Sequence, residues 1–548
     1  MQLESRGFAF EPPRTPGAGE ANVSVCFAGD ARTLRTPVGC TLRAAAEAVG
    51  LPIGAGCGQA DCCGDVVHVL EGAENLEPPG DEERRTLARL GAAPQARLAC
   101  RARVLGPVAV ALVGAAVTSI GRIGGGTGGR VDNSVRQVVI VGNGVAGSTA
   151  LERILALSPG CHITQIGEEP RGFYNRMEIA RLIGSSESAD SLAYASTPGL
   201  SARAVDQRIA TRVRAIDPSV RSVVLANGER IGYDRLLLAT GAGAARPPVA
   251  GSELAGCFDL RTAVDAAAIH DRLRRTPVEQ AVVIGAGVQG LEAAEALALA
   301  GVPVQVLEAG PNPMPAQLLP DCAAAVSAAL ARRGVRVRAG VQVAAIEAAA
   351  DDAGQVGAVK LADGESIPAG LVLFCTGTRP NIALARDAGL ACGHGILVNA
   401  QMRTSDPDIF AAGDVAELDG QVTGLWEPAR EQALAAADNM LGLRRVWRPA
   451  LLSVRGKLKS LALVTLGALP PAAMRGAEIV LAGAGGRSWR QLVLDKDGRV
   501  AAAAFVNAPR WIAEVEAAAR SGADLRPLLE PLQDDRWAVL RGSDAVAA

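Results

Sequence analysis

The chain has 548 residues, too many for one hydrophobic core, so we expect three or four domains. Apolar residues make up 49% of it and charged residues 20%, which indicates folded domains and little disorder. A formal net charge of −2 argues against a nucleic-acid partner, which would need a concentrated basic patch. The N-terminus lacks the pattern of a secretory signal, and no apolar run reaches the about 20 residues of a membrane span. We therefore predict a cytoplasmic protein with no membrane span, whose eleven cysteines are thiols or metal ligands.

The first predicted domain, residues 21–118, carries a cluster of cysteines. The spacing Cys57-x4-Cys62-x2-Asp65, with Cys100 following at a distance, is that of a plant-type [2Fe–2S] site, except that aspartate stands at the third position. A carboxylate is a hard oxygen donor with the charge of a thiolate, and it can bind ferric iron. The predicted metal ligands are therefore Cys57, Cys62, Asp65 and Cys100.

Two neighbouring segments fix this register. Residues 66–72, VVHVLEG, and 97–104, RLACRARV, resemble the strand after the cluster loop and the return segment of [2Fe–2S] ferredoxins. They place Asp65, and not Val66, at the third ligand position. Two alternatives stay open, namely Cys63 as the third ligand from a distorted loop, and a domain that has lost its cluster.

A glycine-rich linker, residues 119–135, precedes an alternation of apolar strands and helices typical of doubly wound α/β domains. This part contains two G-x-G-x-x-G motifs, each after a strand and before a helix: Gly142, Gly144 and Gly147, then Gly285, Gly287 and Gly290. Such glycines let the backbone approach a dinucleotide pyrophosphate at a helix N-terminus. We call the two motifs the first and second cradle.

An acidic residue after the next strand usually binds the ribose hydroxyls. Glu168 takes this place for the first cradle and Glu308 for the second. A carboxylate there repels a ribose 2′-phosphate, and no arginine follows Glu308 directly. The second cradle is therefore predicted to bind NADH in preference to NADPH.

Three further segments carry a family resemblance. They are 167–176, GEEPRGFYNR; 236–241, LLLATG; and 409–414, IFAAGD. With the two cradles, they resemble the pyridine nucleotide-disulfide oxidoreductase superfamily, in its ferredoxin/rubredoxin reductase and nitrite-reductase-like branch. The resemblance covers about residues 136–445 and implies FAD in the first cradle.

The resemblance implies a domain order. An FAD-binding domain spans 136–262 and 379–445, an NAD-binding domain 263–378, and a small C-terminal α+β interface domain 446–548, which would allow a homodimer. The predicted fold class is thus α/β, with two nested Rossmann-like domains preceded by a β-grasp [2Fe–2S] ferredoxin domain.

The resemblance also implies site residues. The further FAD-binding positions are Arg176, Thr240, Gly241, Gly413 and Asp414, of which the aspartate contacts the ribityl chain in the family. Rubredoxin-reductase-type members often carry a lysine near the flavin N5 seven residues after the tyrosine, and this chain has Arg181 there. A guanidinium could stabilise reduced flavin but does not readily donate a proton, so Arg181 is either a catalytic residue or a plain surface arginine.

The absence of cysteines from two parts of the chain excludes several reactions of the superfamily. Residues 165–185 contain none, which excludes the redox pair of the disulfide reductases and the single cysteine of the peroxidases. No cysteine follows Cys392, so the sirohaem site of nitrite reductase proper has no ligands. We predict an NADH-dependent flavoprotein reductase that passes electrons through FAD and a fused [2Fe–2S] cluster to an external acceptor or donor protein. The alternative is an electron-transfer subunit of a larger complex, in which the ferredoxin domain docks partners or electrons flow toward NAD⁺.

Overall fold

The computed structural model describes residues 22–28, 32–48, 66–89, 95–112, 130–185, 187–193, 205–449 and 451–540. The chain forms two compact units, one of residues 1–127 and 194–203 and one of residues 128–193 and 204–548. Cys57, Cys62, Cys63 and Asp65 lie outside the described residues, as does the linker up to residue 129. Within the described ranges, no helix is long and apolar enough to cross a membrane.

The described part of the first unit is a mixed five-stranded sheet with two helices. Its elements are β1 (Asn22–Ala28), β2 (Arg32–Pro37), α1 (Leu42–Ala48), β3 (Val66–Glu71), α2 (Asp81–Arg89), β4 (Ala96–Leu98) and β5 (Val108–Leu112). The strand order is β2-β1-β5-β3-β4, with β1 and β5 parallel and the other neighbours antiparallel. The strand expected in VVHVLEG is confirmed as β3.

A buried ion pair fixes α2 on β4. Arg97 Nε lies 2.7 Å from Glu83 Oε1, and the same oxygen accepts a hydrogen bond from the Leu98 amide at 2.9 Å. Glu83 is 3% exposed, and a carboxylate so far from water needs such charged and polar partners. The pair thereby fixes the backbone at Leu98, two residues before the half-buried Cys100.

The second unit begins with the first cradle. Its elements here are β6 (Gln137–Val141), α3 (Val145–Leu157), β7 (His162–Ile166), β8 (Val205–Arg208), β9 (Val213–Asp217), β10 (Ser222–Leu225), β11 (Arg230–Gly232), β12 (Arg235–Leu238), β13 (Ala242–Ala244) and β14 (Cys257–Asp259). A 3₁₀ segment, Arg176–Leu182, follows β7. The strand predicted before the first cradle is confirmed as β6, and the next strand of the predicted alternation is β7.

The second cradle lies in a similar arrangement. Its elements are α4 (Ala263–Arg275), β15 (Ala281–Ile284), α5 (Val288–Leu299), β16 (Val304–Glu308), α6 (Pro320–Ala331), β17 (Val335–Ala339), β18 (Val343–Ala348), β19 (Val356–Leu361), β20 (Ser366–Pro368), β21 (Leu371–Phe374) and β22 (Thr378–Pro380). The strands β14-β21-β15-β16-β17 form a parallel sheet. β15 and β21 are buried along their whole length, which explains their unbroken apolar sequences.

The chain then returns to the first sheet. The returning elements are α7 (Ala383–Asp387), β23 (Ile396–Leu397), β24 (Ile409–Ala411), β25 (Ala416–Glu417) and α8 (Trp426–Met440). The first parallel sheet has the order β24-β12-β6-β7-β8, so its edge strand β24 comes after the whole second sheet in sequence. One dinucleotide fold is therefore inserted into the other.

An antiparallel sheet ends the unit. Its elements are β26 (Ser453–Gly456), β27 (Leu463–Gly467), β28 (Arg475–Ala482), β29 (Trp489–Asp495), β30 (Val500–Val506), α9 (Ile512–Ser521) and α10 (Leu529–Gln533). The strand order is β26-β27-β30-β29-β28. A hairpin turn at Asp497-Gly498 joins β29 and β30, with Gly498 at φ +79°.

Candidate functional site

Two glycines of the first cradle pack tightly against the neighbouring backbone, and the third borders open space. A Cβ on Gly142 (φ +120°) would lie 2.0 Å from the Ala239 carbonyl oxygen, and one on Gly147 would lie 2.0 Å from the Gly142 carbonyl oxygen. A Cβ on Gly144 would meet no atom within 4 Å. Gly142 and Gly147 thus hold strand, turn and helix together, while Gly144 leaves open space at the N-terminus of α3, where amide groups lack helical partners.

The second cradle repeats this arrangement. A Cβ on Gly285 (φ +102°) would lie 2.4 Å from the Cys375 carbonyl oxygen, and one on Gly290 would lie 2.0 Å from the Gly285 carbonyl oxygen. The space beside Gly287 is open. Both cradles therefore fit the pyrophosphate of a dinucleotide. In each cradle the first glycine packs against the carbonyl group of a residue that directly follows a neighbouring parallel strand, Ala239 after β12 and Cys375 after β21.

Cys375 lies beside the second cradle. Burial raises the pKa of its thiol to about 12, so it remains protonated at neutral pH. A neutral, packed thiol is a poor nucleophile and acts as a small apolar side chain.

The two acidic residues after β7 differ in their surroundings. Glu168 is largely exposed and lies 3.4 Å from Arg212. Glu169 instead accepts a hydrogen bond from the Tyr174 hydroxyl at 2.7 Å and pairs with Arg176. Glu168 thus lies in solvent beside Arg212, whereas Arg176, expected to bind the cofactor, is held by Glu169.

Tyr174 connects this segment to α4. Its hydroxyl accepts a hydrogen bond from the Ala263 amide at 3.1 Å, and burial raises its pKa to about 12. The neutral phenol therefore links the end of the first cradle's acidic segment to the first residue of α4.

Asp414 lies at the turn after β24. Its carboxylate pairs with Arg261, whose Nε also donates to the Ala242 carbonyl oxygen at 2.9 Å. The preceding Gly413 (φ +84°) donates its amide to Gln432 of α8 at 2.8 Å, and a Cβ on it would lie 3.0 Å from that of Ala146 in α3. The turn with Asp414 is thereby pressed against the helix of the first cradle.

Arg261 was not singled out from the sequence. It directly precedes a capping box in which Thr262 and Asp265 exchange side-chain and backbone hydrogen bonds at the start of α4. The T-x-x-D pattern could have located the start of this helix. No local sequence pattern, however, indicates that Arg261 pairs with Asp414.

Thr240 and Gly241 lie where the chain crosses between the two sheets. The Thr240 hydroxyl donates to the Asn381 carbonyl oxygen at 3.0 Å, and the Asn381 side chain donates back to the Thr240 carbonyl at 2.8 Å. Gly241 has φ +65°, a conformation that favours glycine. Both residues thus join β12 to the segment that returns from the second sheet.

Arg181 lies in the 3₁₀ segment. Its guanidinium pairs with Glu178 and lies 2.8 Å from Glu187. Its charge is therefore shared between two carboxylates of its own neighbourhood.

Glu308 braces the second cradle. One of its carboxylate oxygens accepts from the Ala286 amide at 2.8 Å and the other from the Gly310 amide at 2.7 Å. These bonds place a negative charge between the cradle turn and the end of β16. A ribose with free hydroxyls fits beside this charge better than a 2′-phosphate does.

Replacing Glu308 by glutamine tests this selectivity. The amide oxygen can keep one backbone bond, but the negative charge is lost, so we expect the preference for NADH over NADPH to fall about tenfold, or about 1.4 kcal/mol. The measurement is kcat/KM for both nucleotides. Glu347→Gln, in strand β18, where the glutamate accepts a hydrogen bond from Ser366, serves as the control. An unchanged ratio in Glu308→Gln would contradict the assignment.

Comparison with known proteins identifies the class. A sequence pattern described as pyridine nucleotide-disulphide oxidoreductase matches residues 136–433. The chain belongs to this family. Its relatives are FAD-dependent NAD(P)H oxidoreductases of the ferredoxin reductase type, which confirms the predicted enzyme class and the α/β fold of its flavoprotein part.

Two curated relatives show how far the similarity extends. The ferredoxin–NAD(+) reductase component of the biphenyl dioxygenase system of Paraburkholderia xenovorans (strain LB400) is 37% identical over 282 residues, covering 52% of this chain and 68% of the relative. The assimilatory nitrate reductase electron transfer subunit of Bacillus subtilis (strain 168) is 31% identical over 311 residues, covering 56% of this chain and 39% of the relative.

A solved structure is similar over a larger part of the chain. The covalent putidaredoxin reductase–putidaredoxin complex matches with a TM-score of 0.67 and 28% identity, covering 76% of this chain and 100% of that one. The matches therefore lie chiefly in the flavoprotein part, and the fused ferredoxin stays a prediction.

Proposed function

We propose that the protein is an NADH-dependent flavoprotein reductase that delivers electrons through its own N-terminal [2Fe–2S] cluster to an external redox protein. The observation that carries this is the pair of glycine cradles, both built to receive a pyrophosphate, in one chain with a ferredoxin-like cysteine spacing. The naming of a relative as a ferredoxin–NAD(+) reductase supports the electron-transfer role.

The chain's residues fit the two nucleotides. The open space at Gly144 and the amides of α3 receive one pyrophosphate, with the exposed Glu168 for the ribose and Asp414, steadied by Arg261, beside α3. The space at Gly287 and the charge of Glu308 receive NADH. Bound FAD supplies the chemistry that converts a two-electron hydride donor into single electrons.

The first unit supports a cluster role by its topology. The order β2-β1-β5-β3-β4, with α1 following the β1-β2 pair in sequence, supports the β-grasp fold proposed for residues 21–118. The four proposed ligands remain Cys57, Cys62, Asp65 and Cys100. Of these, Cys100 follows β4, where the Arg97–Glu83 pair steadies the backbone.

Anaerobic reduction by NADH tests the proposal. We expect both the flavin absorbance and the cluster signal to bleach, because the electrons pass from one to the other in the same molecule. If neither chromophore responds to NADH, the proposed function is wrong.

A second function is favoured by one relative, the electron transfer subunit of an assimilatory nitrate reductase. In that role the first unit would dock a partner within a larger complex. Bleaching of the flavin alone, with the cluster unreduced, would favour this alternative.

Substitutions in the cysteine region test the third ligand. We expect Asp65→Ala to abolish or alter the EPR signal of the reduced cluster and to lower bound iron and acid-labile sulfide. Cys63→Ala and Cys26→Ala, the latter in β1, should keep both. Loss in Cys63→Ala with an unchanged spectrum in Asp65→Ala would assign the ligand to Cys63.

A further inference from the structure

Residues 260–263, which we call the junction segment, contact both nucleotide-binding folds. The segment runs from the end of β14 to the first residue of α4. The side chain of Gln289, within the second cradle, donates to the Leu260 carbonyl oxygen at 2.5 Å. Arg261 pairs with Asp414, at the turn that packs against the helix of the first cradle. The junction segment is therefore bound directly to the second cradle and, through Asp414, to the first.

Tyr174 holds the junction segment from the side of the first fold. Its hydroxyl accepts a hydrogen bond from the Ala263 amide at 3.1 Å and donates one to Glu169 at 2.7 Å. Ala263 is the first residue of α4, so its amide has no acceptor within the helix. The capping box of Thr262 and Asp265 pairs other amides of this helix start. Since Tyr174 and Ala263 are both buried, the hydroxyl is the acceptor that the Ala263 amide needs.

Arg176 makes a second contact with the same segment. It donates to the Arg261 carbonyl oxygen at 3.3 Å, and its guanidinium carbon lies 5.1 Å from the centre of the Tyr174 ring. One carboxylate oxygen of Glu169 pairs with Arg176, and the other accepts the bond from Tyr174. Glu169 therefore orients both side chains that hold the junction segment.

The apolar packing connects the same parts of the molecule. Ile179 of the 3₁₀ segment, Ala263 of α4 and Leu291 of α5 belong to one buried core, which also contains the Tyr174 ring. Close-packed interiors are hardly compressible and transmit displacements. A shift of the junction segment is therefore passed on to the helices of the second fold.

The relative placement of the two folds matters for the reaction. In hydride transfer, a hydride with its two electrons leaves NADH, which becomes NAD⁺, and reduces the flavin. The rate of such a step falls steeply when the reacting atoms are misplaced by about 1 Å. Because each nucleotide is bound by a different cradle, the contacts between the two folds set the distance between the nucleotides.

We propose that Tyr174 is a positioning residue for hydride transfer, which holds the junction segment so that the nucleotides of the two cradles meet in one geometry. This rests on the proposed function, because it requires FAD and NADH in the two cradles. The contacts of Arg261 with Asp414 and of Gln289 with the junction segment do not involve the Tyr174 hydroxyl. Its loss therefore affects the transfer step and leaves the binding of each nucleotide unchanged.

The test compares two tyrosine variants of the holoenzyme. Tyr174→Phe keeps the packed ring but leaves the Ala263 amide without its acceptor. We expect the limiting rate of flavin reduction at saturating NADH, measured by stopped flow, to fall about tenfold. The apparent Kd for NADH from the same titration should stay within about twofold of wild type. FAD content is measured for every variant.

Tyr233→Phe is the matched control. Tyr233 is also buried, but its hydroxyl has no hydrogen-bond partner among the residues that the structure describes. The control loses the same atom from the interior without releasing a contact, so its limiting rate and its Kd for NADH should match wild type.

A second substitution tests the route through the junction segment. Gln289→Met removes the hydrogen bond to the Leu260 carbonyl oxygen and keeps a side chain of similar length. Residues that act on one element are not additive. We therefore expect the limiting rate of Tyr174→Phe/Gln289→Met to fall by less than the product of the two single effects. A fall equal to that product would overturn the shared route.

The outcomes separate this inference from the proposed function. A wild-type limiting rate in Tyr174→Phe would overturn the inference while NADH still reduces the wild-type flavin. An effect confined to FAD content or to the Kd for NADH would overturn it too, as would an equal loss of rate in Tyr233→Phe. Failure of NADH to reduce the wild-type flavin would refute the proposed function, and the inference with it.

Discussion

Replacing Gly144 by alanine is expected to give a folded protein that binds FAD more weakly. The new methyl group meets no protein atom within 4 Å, and the backbone at Gly144 (φ −74°, ψ −170°) suits any residue. It does fill the space left for the pyrophosphate. Overpacking of this kind costs about 1–3 kcal/mol, so FAD should bind about 5- to 150-fold more weakly. The measurements are flavin content after gel filtration and FAD titration of the apoprotein.

Two matched glycine-to-alanine variants serve as comparisons for Gly144→Ala. Gly160→Ala, in the turn between α3 and β7, also meets open space and should keep its flavin and its melting temperature. Gly147→Ala should lower the melting temperature as well, because its methyl group would lie 2.0 Å from the Gly142 carbonyl oxygen. Wild-type FAD affinity in Gly144→Ala would show that the first cradle does not bind the pyrophosphate.

Replacing Gly287 by alanine should leave a yellow protein that NADH reduces poorly. The methyl group again enters open space in the second cradle (φ −68°, ψ 172°), so the fold and the FAD site remain intact. NADH loses its pyrophosphate site, and we expect its apparent Kd to rise by about 5- to 150-fold. Stopped-flow measurement of flavin reduction over a range of NADH concentrations gives this constant.

Reduction by dithionite is the control for Gly287→Ala, because it bypasses the nucleotide site. Its extent should equal that of wild type. If the variant instead lost its flavin while NADH binding persisted, the two cradles would have been assigned to the wrong nucleotides.

The cradles were predictable because their chemistry is local. Gly142 and Gly285 follow apolar strands and precede helices, and three glycines at fixed spacing carry the whole requirement for a close backbone approach. The strands β6, β7, β15 and β16 followed from the same apolar alternation.

The charged contacts of the site were not predictable, because they join distant parts of the chain. Arg261 meets Asp414 across 153 residues, and Lys459 meets Glu295 across 164. The segment IFAAGD marks Asp414, but no sequence pattern pairs it with Arg261 or pairs Lys459 with Glu295. Likewise, Glu168 and Glu169 are adjacent in sequence, and only the fold shows that Glu168 is exposed to solvent. Glu169 instead contacts Tyr174 and Arg176.

The edge strand β24, which comes late in the sequence, has a consequence for biosynthesis. Because Leu236 of β12 pairs with Ile409 of β24, a nascent chain must emerge beyond Ile409 before the sheet beside Gly142 is complete. Contacts between such distant residues form slowly, so the inserted nicotinamide fold can mature on the ribosome first. FAD is then captured only near the end of translation, and a chain arrested before Ile409 should bind pyridine nucleotide yet stay colourless.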